Sequence, residues 1–145
     1  IAYVEDKAGG LSTLQKHIMR YPQIFATKAV EKVLDKGIKK GIIWHTQGSG
    51  KTALAYYNVN FLTDYYQKRN TIAKFYFIVD RIDLADQATN EFLKRGLTVN
   101  RVNSRQEFLA DIKKVSTIHN NTGKAEISIV NIQKFLARIH TKFTT

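Results

Sequence analysis

Cysteine is missing from this 145-residue chain, proline occurs once, at Pro22, and Asp and Glu number 12 against 23 Lys and Arg. Without cysteine there is neither a disulfide framework nor a thiolate metal site, which fits a reducing cytoplasm. No apolar run exceeds five residues, whereas a membrane helix needs roughly 20, and the charged opening Glu5-Asp6-Lys7 is unlike a signal peptide. The expectation is a cytoplasmic protein with no membrane partner. No Asp-Glu dipeptide occurs either, so the acidic pair with which motor ATPases hold Mg²⁺ and orient the attacking water is absent from these residues. At this length the chain is one domain able to bury roughly two thirds of its unfolded surface without covalent staples.

Scarcity of acid leaves a formal charge of +11, spread along the chain. Such a field favours a polyanion, with nucleic acid the leading candidate. A solvated basic surface explains the same number, and charge alone leaves both readings open.

The most informative stretch is Thr46-Gln47-Gly48-Ser49-Gly50-Lys51-Thr52, which follows the apolar Ile42-Ile43-Trp44 and precedes a helical pattern. Gly48 and Gly50 let the backbone wrap a phosphate and aim its N–H groups inward at the positive end of the next helix. Lys51 adds a full charge for the β- and γ-phosphates of ATP and is the catalytic candidate. Thr52 offers a hydroxyl to Mg²⁺, a hard cation that prefers oxygen. A strict phosphate-loop pattern needs glycine at position 45, where this chain has His45; the relaxed form with Gly-Ser-Gly-Lys-Thr is the one helicase-like ATPases use. An ordinary Gly/Ser turn between a strand and a helix is the alternative.

Strand and helix signals alternate along the chain, which predicts an α/β fold with an open, mainly parallel sheet and helices on both faces. The spacing predicts a helix over residues 21–36, with Ile24, Phe25, Ala29, Val33 and Leu34 on one face, Pro22 in its first turn and Gly37 at its stop. A strand is expected over 41–45. Leu54, Tyr57, Phe61, Leu62 and Tyr65 form the apolar face of the next helix, which closes at Lys68-Arg69-Asn70. Strands follow at 75–79, 98–102 and 127–131. Helices are expected over 83–95, from the capping box Ser104-Arg105-Gln106-Glu107 to about 113, and over 133–139, with a loop at 119–123.

The turn Asp80-Arg81-Ile82-Asp83-Leu84-Ala85-Asp86-Gln87 stands at the carboxyl end of a strand, the edge on which open α/β sheets bind ligands. Its second half resembles the Leu-Ala-x-Gln of superfamily 2 helicases, a segment that touches the nucleic-acid backbone. Asp80-Arg81 replaces the Pro-Thr of that pattern. Asp80, after an apolar strand, is also an alternative metal ligand.

Taken together, Ile42 to Thr52, Val79 to Gln87 and Ile129-Val130-Asn131-Ile132-Gln133-Lys134-Phe135 resemble, in the same order, the R subunit of type I restriction enzymes. Asn131 stands where that family has Thr, and Arg20-Tyr21-Pro22-Gln23 resembles its Arg-Tyr-x-Gln. The resemblance implies a RecA-like P-loop domain, the N-terminal part of the first helicase-like motor domain and incomplete at its C-terminal end. Residues 1–17 are then a lead-in from a preceding domain. It further implies ATP and Mg²⁺ bound by Gln23, Thr46, Gln47, Gly48, Ser49, Gly50, Lys51 and Thr52, with Gln23 reading adenine through its amide. Gln23 as a solvated polar residue is the alternative, and Tyr21 either stacks on the base or belongs to the core. Duplex DNA would be met by Arg81, Gln133 and Lys134. The parent would translocate and cleave DNA with methyltransferase and specificity subunits, whereas this piece alone is expected to be inactive. Another superfamily 2 motor, or a P-loop module that does not act on DNA, would share only part of these motifs.

Overall fold

The computed structural model describes residues 1–8, 11–46, 48–114, 125–133 and 135, and the surroundings of the side chains except at 6–8 and 11. Three strands, β3 (Tyr76–Val79), β4 (Thr98–Val102) and β5 (Glu126–Asn131), form a parallel sheet in the order β3-β5-β4. β5 is central because its Ile127, Ile129 and Val130 are 3%, 1% and 1% exposed; a strand covered on both faces needs a continuous apolar run. Tyr76 and Phe77 are consecutive and point to opposite faces. Phe77 meets Phe92 of α3 (Ile82–Lys94) edge-on at 5.3 Å, and Tyr76 meets Phe108 of α4 (Arg105–Lys113) at 5.3 Å. Helices therefore lie on both faces of a parallel sheet, as expected.

Local signals set most helix ends. At α4 the Ser104 hydroxyl accepts the Glu107 N–H at 3.1 Å, and the Glu107 carboxylate reaches back to the Asn103 N–H at 2.9 Å. The capping pair thus closes one residue earlier than its pattern implies. α3 stops at Gly96, whose φ of 82° only glycine adopts without strain. After α2 (Lys51–Gln67), Asn70 takes the left-handed conformation with φ 52°.

One expected strand is missing. Residues 38–46 contain no regular element, and Ile42 and Trp44 are 92% and 90% exposed. The strand expected over 41–45 is thus not formed. A strand is stable only when a neighbour satisfies its backbone, and among the described residues no strand pairs with this segment. In the segment expected as a lead-in, β1 (Ala2–Ala8) and β2 (Leu11–His17) make an antiparallel hairpin, and Ala2 enters the main core beside Tyr56, Tyr57, Ala88 and Phe92. Alternation around Gly9-Gly10 was the available signal. α1 (Tyr21–Asp35) buries Gln23 and Thr27, while Phe25, Ala29, Val33 and Leu34 of its apolar stripe line one cleft and Phe25 is 54% exposed. Its polar side faces α2, while the apolar side borders an open cleft. The loop expected at 119–123 lies outside the described residues, as does most of the helix expected at 133–139.

Candidate nucleotide site

Side-chain and backbone hydrogen bonds together hold the described residues of the Thr46 to Thr52 stretch. Ser49 donates its hydroxyl to the Thr46 carbonyl at 2.7 Å, closing a turn around Gly48. Gly48 and Gly50 have φ of 76° and 81°, in the left-handed region. Gly50 is the N-cap of the 17-residue α2, and its carbonyl accepts the Leu54 N–H at 2.9 Å. The N–H groups before Leu54 belong to the first turn, which no intrahelical acceptor satisfies. Lys51 is exposed and Thr52 half-buried at that same end. The first-turn N–H groups of α2, with the Lys51 ammonium at the same end, are groups that a polyphosphate could meet.

The donor set also fits Mg²⁺, which keeps several waters and is held by one or two protein oxygens together with substrate phosphates. Here the Thr52 hydroxyl is the candidate oxygen, and among the described residues no cluster of three His, Asp or Glu competes with it. An apolar cleft of about 810 Å³ adjoins the loop, lined by Pro22, Phe25, Val33, Ile43, Thr46 and Ser49 among others. That volume lies within the range of small-molecule sites.

Gln23 reaches this loop, as its Nε2 donates to the Gly50 carbonyl at 3.1 Å. The amide is 3% exposed and its Oε1 accepts the Arg20 N–H at 2.9 Å. Tyr21 is 73% exposed and leans on Phe25 at 4.3 Å, so it is not a core residue. Gln47 lies outside the described residues.

The second group sits on the sheet edge. Arg81 is the N-cap of α3, exposed, with Nε 3.8 Å from Asp83 Oδ1. Gln133 is exposed just past β5, and its N–H donates to Asn131 Oδ1 at 3.0 Å. Asp80 is exposed in the turn between β3 and α3. Lys134 lies outside the described residues. Among the described residues no hydrogen bond or ion pair links this group to Thr46 or to Gly48 through Thr52. Periodicity did not reveal the tie between Thr27 and Asn58, 2.9 Å apart, that binds α1 to α2; polar residues on a helix give no such signal.

Residues 22–144 match the family model of the SWI2/SNF2 ATPase. The chain belongs to the SWI2/SNF2 ATPase family. Nucleotide use follows for this SWI2/SNF2 ATPase domain. Over 93% of its length it is 34% identical to a protein of Methanocaldococcus jannaschii bearing the name type I restriction enzyme MjaVIIP endonuclease subunit, and it spans 14% of that relative. It is 33% identical, over 66% of the chain and 10% of the relative, to the type I restriction enzyme SsaAORF53P endonuclease subunit of Staphylococcus saprophyticus. Four Staphylococcus aureus endonuclease subunits of the same enzyme type, that of strain COL among them, are each 36% identical over 52% of the chain and 8% of their own length. No solved structure matches the chain. Among the described residues no helix is long and apolar enough to cross a membrane.

Proposed function

We propose that this chain is the ATP-binding and DNA-contacting part of the motor of a type I restriction endonuclease R subunit. The observation that carries the reading is a loop whose Gly48 and Gly50 are both left-handed and which runs directly into the N-terminus of a long helix headed by Lys51 and Thr52. Similarity to type I endonuclease subunits over nearly the whole chain supplies the biological setting. In this reading Thr46 to Thr52 is the phosphate loop of a RecA-like domain. Lys51 neutralises the β- and γ-phosphates, Thr52 ligates Mg²⁺ and Gln47 belongs to the same loop. Arg81, Gln133 and Lys134 meet the backbone of duplex DNA.

Mg²⁺, when bound with ATP, supplies charge neutralisation across the β- and γ-phosphates. The protein's own share is to bind and orient them, which is most of what phosphoryl-transfer enzymes contribute. The parent protein would couple this to DNA translocation and cleavage in the cytoplasm, with methyltransferase and specificity subunits as partners.

Titration of the wild type and Lys51→Ala with ATP and Mg²⁺ tests the loop. Loss of a charge-assisted contact is worth about 1.5–3 kcal/mol, so the variant should bind roughly 10-fold or more weakly. Equal affinity would remove Lys51 and the loop from the site.

A further inference from the structure

Three chains leave the parallel sheet at one edge. β3 and β5 end on the paired Val79 and Asn131, and β4 ends on Val102, which is paired with Val130. Counted on from those pairs, Arg81, Gln133 and Arg105 fall at the same level, in the strand order β3-β5-β4. Neighbouring strands lie about 4.8 Å apart, so the two outer chains leave the edge about 10 Å from one another. Each of them carries an arginine at the start of its helix, Arg81 as the N-cap of α3 and Arg105 as the first residue of α4.

The two turns differ in what surrounds the cation. Arg81 stands next to Asp80 and has Asp83 Oδ1 3.8 Å from its Nε. In the β4 turn the Ser104 hydroxyl accepts the Glu107 N–H and the Glu107 carboxylate accepts the Asn103 N–H, so both side chains are taken up by the cap of α4. Arg101, one turn of chain earlier, is held by Asp86 at 3.0 Å and Thr89 at 2.7 Å. Arg105 is exposed, and among the described residues no side chain hydrogen-bonds to it or forms an ion pair with it. Helix stability does not account for an arginine at this position, because the first turn is the positive end of a helix and favours carboxylates.

We propose that Arg105 is a DNA-binding residue, which contacts the phosphate backbone at the opposite end of the sheet edge from Arg81, so that the two guanidiniums hold different phosphates of one duplex. This rests on the duplex-DNA reading above and extends its contact surface across all three strands, to a turn that carries no nucleic-acid motif in the sequence. Arginine suits the role, since its planar fork of donors matches a phosphate and keeps its charge at any working pH.

Fluorescence anisotropy with a duplex of arbitrary sequence, across a salt series, tests this on the wild type, Arg81→Ala, Arg105→Ala, Arg105→Lys, Arg105→Glu, the Arg81→Ala/Arg105→Ala double variant and Lys94→Ala. Lys94 lies in the last turn of α3, at the far end from Arg81, and controls for loss of a charge as such. Arg105→Ala should make the slope of log affinity against log salt shallower by about 1 and the double variant by about 2, whereas Arg105→Lys and Lys94→Ala should keep the wild-type slope. Arg105→Glu separates binding from folding: a carboxylate suits the positive end of α4, so the melting temperature should hold or rise while duplex affinity falls below that of Arg105→Ala. A slope unchanged in Arg105→Ala but shallower in Arg81→Ala overturns this inference alone. A lower melting temperature in Arg105→Glu would make Arg105 a structural residue and also overturns it. A wild type with no salt-dependent affinity for duplex overturns the DNA reading with it.

Discussion

Val79 of β3 lies opposite Asn131 of β5 in parallel register, and the Ile132 N–H donates to the Val79 carbonyl at 2.9 Å. Because the strands run the same way, the residues that follow them leave from one edge. Arg81 and Gln133 therefore share the carboxyl edge of the sheet, although 52 positions separate them in sequence. The turn after β5 is held by Asn131, 5% exposed, whose side chain accepts the Gln133 N–H.

This shared edge makes duplex DNA binding testable. The Arg81 pair with Asp83 is long and its side chains are 60% and 69% exposed, so it holds Arg81 only weakly. Phosphate contacts release counterions, and affinity should fall with salt while showing little sequence preference. Arg81→Ala and Lys134→Ala should each make the slope of log affinity against log salt shallower by about 1. Fluorescence anisotropy with unrelated duplexes across a salt series reads this directly. Slopes unchanged in both variants would place DNA binding elsewhere on the surface.

A second prediction concerns pH. The Tyr76 hydroxyl donates to Asp111 Oδ2 at 2.7 Å, joining β3 to α4. Burial and, after it, that hydrogen bond raise the phenol well above its ordinary value. The unfolded tyrosine loses its proton near pH 10, so the folded state binds the proton more tightly. The stabilisation is fully present below about pH 10 and is lost as pH climbs from there toward the folded value. Tyr76→Phe should cost about 1 kcal/mol at neutral pH, less than a fully buried bond to a carboxylate because the pair is only part-buried. Denaturant melts of both proteins should show a constant difference up to about pH 10 that closes above it. A difference that persists unchanged at pH 11 would separate the stability effect from the hydroxyl's titration.

The third prediction follows from chemistry the 145 residues do not contain. With no Asp-Glu dipeptide, the adjacent carboxylates with which motor ATPases hold Mg²⁺ and orient water are missing from the sequence, and phosphoryl transfer would lose that positioning. The chain should bind ATP and yet release phosphate no faster than Lys51→Ala, with or without duplex DNA. Asp80, exposed in the turn after β3, is the competing metal ligand. Turnover that disappears in Asp80→Ala would establish a self-sufficient site instead.

What the sequence by itself determined is local in range. The ends of α3 and α4, the bounds of β4 and the left-handed Asn70 were legible because glycine, asparagine and a Ser-x-x-Glu spacing act through neighbouring backbone groups. The left-handed Gly48 and Gly50 and the start of α2 at Lys51 were legible for the same reason, since they lie next to one another in the chain. Tertiary structure alone decided the rest. Whether residues 41–45 pair as a strand depends on a partner remote in sequence, and the same apolar residues that predicted a strand stand exposed without one. The hairpin of β1 and β2 is part of the core because Ala2 finds Tyr56, Tyr57 and Phe92. Gln23 and Thr27 are buried, against their polarity, because Gly50 and Asn58 of another segment meet their hydrogen bonds. Burial of an amide is governed by whether partners await it, and those partners are supplied by the packing of one helix on another.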